Sequence, residues 1–141
     1  MFCKDQIDFE FERTAEGNIN QTYYVYIKES GDLPLFILQR ISQIFKKPEL
    51  IADVNNRLYN YFINKKFGLL ELPTSIKTFT NKDIFICKKG FSWRAFKYFK
   101  NSITFTYSND KEIIYQAANR LAYFHFALSK SNFYFKNTNL R

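Results

Sequence analysis

Between Gly17 and Tyr26 the sequence reads Gly-Asn-Ile-Asn-Gln-Thr-Tyr-Tyr-Val-Tyr, and beyond Ser30-Gly31-Asp32 a second apolar run, Leu35-Phe36-Ile37-Leu38, closes on Gln39-Arg40-Ile41. A glycine and two asparagines ahead of alternating aromatic and β-branched residues, then a Gly-Asp break and another apolar run, describe a loop followed by a hairpin. Such a loop can present backbone N–H groups to phosphates, with Gly17 supplying the side-chain-free approach. One glycine is fewer than the usual nucleotide fingerprints carry, so the pattern alone favours an ordinary surface hairpin. Gln39 and Arg40 are adjacent on a strand and must point to opposite faces of the sheet. The pattern alone leaves open which of the two would face a ligand, and a solvated arginine at a sheet edge is the plain reading of Arg40.

The elements that position this stretch are legible from periodicity. Residues 7–14 alternate apolar and polar, which puts Ile7, Phe9 and Phe11 on one strand face, and strands are predicted over 22–27 and 34–41. Lys46-Lys47-Pro48-Glu49 opens a helix with proline in the first turn and Glu49 near the positive dipole end. Its apolar stripe, Ile51, Val54, Leu58, Tyr61 and Phe62, should lie against the sheet, and the helix should end over residues 64–68. Further strands follow, broken at Asn81-Lys82-Asp83 and Lys88-Lys89-Gly90, the last covering 91–99 and stopping at Lys100-Asn101-Ser102. A second helix is predicted over 109–129, capped by Asp110, with Ile113, Ile114, Ala117, Leu121, Phe124 and Leu128 as its apolar face. The fold class is α+β: an antiparallel sheet of about five strands with one packed helix, then a second helix.

Composition bounds the partners. With 141 residues, 46% of them hydrophobic and 20% aromatic, the chain has material for one domain with a real core and is not a disordered segment. No apolar run is long enough to span a bilayer and Met1-Phe2-Cys3-Lys4-Asp5 is no secretory start, so a cytoplasmic location without membrane contact is expected. Cys3 and Cys87, the latter in a predicted strand, fit a reduced compartment and show no metal-ligand spacing. The net charge of +8 points to an anion: a nucleotide, an acidic surface, or nucleic acid. For the last, residues 82–100 carry five lysines and Arg94 interleaved with Phe91, Trp93, Phe96, Tyr98 and Phe99, as an aromatic platform in a basic groove would; strand alternation, however, sends part of these rings into the core.

Gly17-Asn18-Ile19-Asn20-Gln21-Thr22-Tyr23, followed by Phe36-Ile37-Leu38-Gln39-Arg40-Ile41, resembles the opening of the aminoglycoside phosphotransferase-like kinases, and within them the N-acetylhexosamine kinase branch. Phe45-Lys46-Lys47-Pro48-Glu49 is similar to that branch's entry into its small-lobe helix, and Trp93-Arg94-Ala95-Phe96-Lys97-Tyr98 with Asn101-Ser102-Ile103-Thr104 is similar to its hinge strand and the following turn. Phe135-Lys136-Asn137-Thr138 with Arg141 resembles a large-lobe segment, with lysine where histidine is usual. The resemblance implies a kinase-like small lobe over residues 1–100, and hinge exit with the start of a large lobe over 101–141. It implies ATP and Mg²⁺ as cofactors, with Gly17, Asn18, Ile19 and Asn20 as the phosphate loop, Val25 packing on adenine, Arg40 (favoured because a guanidinium binds phosphate through two parallel hydrogen bonds) or else Gln39 on the phosphates, and Phe99, Lys100 and Asn101 as the hinge. In this family the small-lobe helix normally offers an acid to anchor the third strand's basic residue; Asp53 is the nearest candidate, with a solvent-facing side chain as the alternative.

Phosphoryl transfer also needs an aspartate for the attacking hydroxyl and ligands for Mg²⁺. After Asn101 the sequence holds only Asp110 and Glu112 as acids, and its one histidine, His125, has no aspartate two residues on and is expected to be a packed helix residue. The chain therefore reads as the nucleotide half of a kinase, inactive alone: half of a split enzyme, a truncated or decayed product, or a binding module that kept the nucleotide loop. A separate large-lobe chain, or self-association through an apolar surface formed by the last helix and Phe133-Tyr134-Phe135, is the expected partner.

Overall fold

The computed structural model describes residues 7–14, 19–28, 33–65, 70–103, 105 and 107–131. Along them run β1 (Phe9–Arg13), β2 (Gln21–Ile27), β3 (Phe36–Arg40), α1 (Pro48–Asn64), β4 (Ser75–Ile76), β5 (Phe85–Ile86), β6 (Ser92–Lys97) and α2 (Lys111–Ser129). The strands form one antiparallel sheet in the order β1-β2-β3-β6-β4, with β5 also on β6. The last strand before α2 thus returns to the centre, between β3 and the short β4.

Cross-strand partners share a face, so the register sorts the side chains into two sets. Thr22, Gln39 and Arg94 stand in one row on one face. Gln21, Arg40 and Trp93 stand in the neighbouring row on the other face. Ring contacts follow the same division: Tyr24 meets Tyr98 edge-on at 5.9 Å on the Gln39 face, while Phe9 meets Phe36 at 6.3 Å and Tyr23 meets Trp93 at 6.0 Å on the Arg40 face. Val25 and Ala95 on the latter face are 0% and 1% exposed.

α1 begins with Pro48, whose missing N–H costs a first turn nothing; Lys47 ahead of it makes no side-chain cap. Ala52 packs with Ile41 and Ile84, with Phe45 and Ile51 around them. The Asn55 amide donates to the Pro73 carbonyl (3.3 Å) and Ser75 Oγ (3.5 Å), fixing α1 to the β4 edge. Cys87 falls just past β5 rather than inside a strand.

Asp110 caps α2, its Oδ1 accepting from the N–H groups of Glu112 (2.8 Å) and Ile113 (3.4 Å). The end of α2 packs on the end of α1: Phe62 and Phe124 stack at 5.4 Å with 9° between planes, and Tyr61 Oη donates to the Ala127 carbonyl at 2.9 Å. A buried aromatic such as Phe62 contributes about 3 kcal/mol or more relative to alanine. Among the described residues, the packing on α2 is concentrated at this end. Ile114, Ala117 and Leu121, expected on the buried face, are exposed together with Tyr115 and Phe126. His125 is likewise exposed, which corrects the packed placement: Phe124 and Ala127 take the inward positions on either side of it. Phe133, Tyr134 and Phe135 lie outside the described residues.

Candidate functional site

The loop residues Gly17 and Asn18 lie outside the described residues; Ile19 and Asn20 begin the chain on the far side. Ile19 is exposed, whereas Asn20 is committed to structure, its Oδ1 accepting from the Ser42 N–H at 2.9 Å. This bond ties the entry of β2 to the exit of β3. The loop end therefore sits beside Arg40 because two strand ends are clamped together.

Gln39 and Arg40 have different fates. On its face Gln39 is spoken for: its Nε2 donates to Thr22 Oγ1 at 3.0 Å, and its Oε1 accepts from Arg94 Nε (2.9 Å) and Nη2 (2.7 Å). Arg94 also lies 4.8 Å from the centre of the Phe96 ring, and burial holds its guanidinium below the ordinary value. A neutral amide thus spans three strands and receives a desolvated cation that no carboxylate of the described residues meets. Sequence reading missed this network, because a basic residue on β6 becomes Gln39's neighbour only once register is known.

Arg40 lies on the opposite face with its guanidinium 4.6 Å above the Phe91 ring. No hydrogen bond or ion pair from it to any described residue is present, so its donor fork is available. The small-lobe acid expected to anchor it does not: Asp53 is turned to solvent, 60% exposed, and pairs with Arg57 one helical turn on at 3.8 Å. A cation–π contact holds the Arg40 side chain in place instead, which leaves its hydrogen-bonding edge unspent.

The remaining expected positions are spread along the sheet. Val25 is fully enclosed, so a base could pack on it only after the side chains covering it move. Phe99 is half-buried, Lys100 and Asn101 are exposed, and Asn101 adopts a left-handed φ of 57°, which asparagine tolerates better than most residues. Ser102 Oγ donates to the Phe99 carbonyl at 2.7 Å, closing a tight turn after β6. At the other end of the sheet a cavity of about 510 Å³ is lined by Ser42, Lys46, Glu49, Gly90 and Ser92 among others. Beside it, burial raises the Cys87 thiol, but hydrogen bonds from the Lys89 and Phe91 backbone and the Trp93 side chain favour the thiolate and leave it below its ordinary value.

For Mg²⁺ the described residues do not fit. No group of three or more His, Cys, Asp or Glu among them converges; Asp83 pairs with Lys77 and Asp110 caps α2. Of the rings interleaved with the basic residues over 82–100, Phe96 is buried, Trp93 lies against Tyr23 and Phe91 under Arg40, while Tyr98 and Phe99 are half-buried. No helix of the described residues is long and apolar enough to cross a membrane. Neither a protein-family model nor a curated protein matches the chain.

Proposed function

We propose that this chain is the nucleotide-handling lobe of a small-molecule kinase of the aminoglycoside phosphotransferase-like type, with ATP as its ligand and an N-acetylhexosamine as the acceptor class. The observation that supports it best is the register of one sheet face. Arg40 stands opposite Gln21, at the loop end of β2, while Val25 stands opposite Phe36, itself opposite Lys97, at the end where the chain runs on to Phe99-Asn101. Four residues of strand, roughly 13 Å, separate the two ends. An extended nucleotide has its purine and its terminal phosphates apart on that scale, so the base belongs at the Phe99-Asn101 end and the phosphates at Arg40. The strand order, with α1 inserted between β3 and β4 and β6 returning to β3, supports a kinase-like small lobe.

The base that would accept the acceptor's proton and the Mg²⁺ ligands come from outside these 141 residues, from a second chain or a continuation of this one. The test is calorimetric titration of the full chain with ATP and with adenosine. ATP should bind at sub-millimolar concentration and Arg40→Met should weaken it at least about tenfold, with N-acetylhexosamine left unphosphorylated in Mg²⁺ and ATP. No ATP binding in the millimolar range, or binding indifferent to Arg40, overturns the reading.

A further inference from the structure

We infer that the turn between β5 and β6 is a second arm of an oligophosphate site, Lys88 and Lys89 acting with Arg40 to grip a chain of consecutive phosphates. The inference deepens the nucleotide reading and rests on it only for where the phosphates lie.

The turn is built at the right corner. The Cys87 N–H donates to the Phe91 carbonyl at 3.0 Å and the Gly90 N–H to the Cys87 carbonyl at 2.8 Å, so residues 87–91 form a closed reversal with Lys88 and Lys89 at its tip. Gly90 has a φ of +80°, which a side chain would resist, and the space where its Cβ would stand is open to 4 Å, so a ligand can approach the backbone there. Phe91, the last residue of the reversal, carries the Arg40 guanidinium on its ring at 4.6 Å. The Ile41 N–H donates to the Ser92 carbonyl at 2.9 Å, so the end of β3 and the start of β6 are bonded side by side.

Three adjacent strands therefore deliver their ends to one corner: Ile19-Asn20 ahead of β2, Arg40 at the end of β3, and the lysine turn ahead of β6. Neighbouring strands lie about 4.8 Å apart, so the corner spans roughly 10 Å. Lys88 and Lys89 are exposed and their stems are long enough to sweep over it.

Charge selects the ligand. The ion pairs of the described residues, Arg57–Asp53 and Lys77–Asp83, involve none of the three corner cations, and the carboxylate in the adjoining cavity is the single Glu49. Three like charges within such a corner repel one another, and a multivalent anion that touches all three relieves this. A monophosphate reaches one or two of them; consecutive phosphates reach all. The expected order of affinity is tripolyphosphate above pyrophosphate above phosphate.

The experiment titrates the full chain with sodium tripolyphosphate, pyrophosphate, phosphate and ATP by calorimetry. It compares the unaltered protein, Lys88→Gln/Lys89→Gln, and Lys111→Gln/Arg120→Gln, which removes the same charge from the exposed side of α2. The turn variant should weaken tripolyphosphate about tenfold and the α2 variant less than twofold, with thermal midpoints unchanged because all four residues are exposed. Equal weakening by both variants means that the net charge of +8 acts diffusely, and overturns the inference, as does a turn variant that binds like the unaltered protein. Absence of tripolyphosphate binding overturns it too. If tripolyphosphate behaves as expected but ATP binds no tighter than it, the corner stands and the base-binding half of the nucleotide reading falls.

Discussion

Gln39 and Arg40 are consecutive residues of one central strand, yet one is consumed by the fold and the other is spared by it. On the Gln39 face a guanidinium from β6 finds its acceptor in an amide, and the amide's own N–H finds Thr22 on β2. On the Arg40 face the guanidinium finds, among the described residues, the face of a phenyl ring and no acceptor. The difference shows how a small sheet can cross-link its strands on one face while leaving a cation's hydrogen-bonding edge unspent on the other. Polar groups that cross-link strands are spent on one another, whereas the Arg40 guanidinium is held through its apolar face; under the proposed reading, no hydrogen bond to a described residue has to break when an anion arrives.

The most severe way to break this contrast is to remove the amide. Gln39→Leu leaves Arg94 desolvated without its acceptor and should destabilise the protein by about 2 kcal/mol, read as a lower urea midpoint at unchanged slope. Replacing both partners, Gln39→Leu with Arg94→Met, removes the orphan as well as the bond. The double variant should return to within about 1 kcal/mol of the starting protein, giving a clear coupling energy in a double-mutant cycle. Simple additivity of the two losses would show that the network does not act as a unit.

Arg40→Met, one residue on, should shift stability by no more than about 0.5–1 kcal/mol, the worth of one half-exposed cation–π contact, while abolishing tripolyphosphate binding. A loss as large as that of Gln39→Leu would mean that Arg40 is structural too, and the contrast between the two faces would collapse.

How much of this was readable beforehand depended on whether the signal was local. Pro48 and Glu49 marked the start of α1, and Asp110 marked that of α2, because capping and first-turn chemistry act over three or four residues. That Gln39 and Arg40 divide between faces followed from the period of two. What each of them meets did not, since Arg94 lies 55 residues away from Gln39 and reaches it only through the β3–β6 register. Asp53 was the natural acid by position in α1, but its partner turned out to be Arg57, the i+4 neighbour that any exposed helix offers. Apolar spacing in α2 marked the helix and its face but could not say how much of that face the chain itself covers; Ile114 and Leu121 are exposed. Gly17 and Asn18, on which the phosphate-loop reading began, lie outside the described residues, so Arg40 carries that reading instead.

The finest test compares the centre of the Gln39 face with its edge. There Tyr26 on β2 donates its phenol proton to Glu12 on β1 at 2.7 Å, in a bond open to water. That hydrogen bond to Glu12 is the main cause, with burial and the Glu12 charge adding to it, that pushes the Tyr26 phenol up from 10.0 to about 12. The raised value favours the protonated form in the folded state, so the contribution to stability is whole below pH 10 and is lost as pH rises through about 12. With ten tyrosines in the chain, the residue is isolated as the difference between ultraviolet tyrosinate titrations of the unaltered protein and Tyr26→Phe. The difference curve should be centred near pH 12, and Glu12→Gln should move it back toward 10, since an amide accepts the same proton without a charge to oppose ionisation. At neutral pH either substitution should cost far less stability than Gln39→Leu does, because water replaces an exposed bond as it cannot replace the one between Gln39 and Arg94. A difference curve centred at pH 10 from the outset would mean that the edge bond is not held in solution, and that the face is ordered by its central row alone.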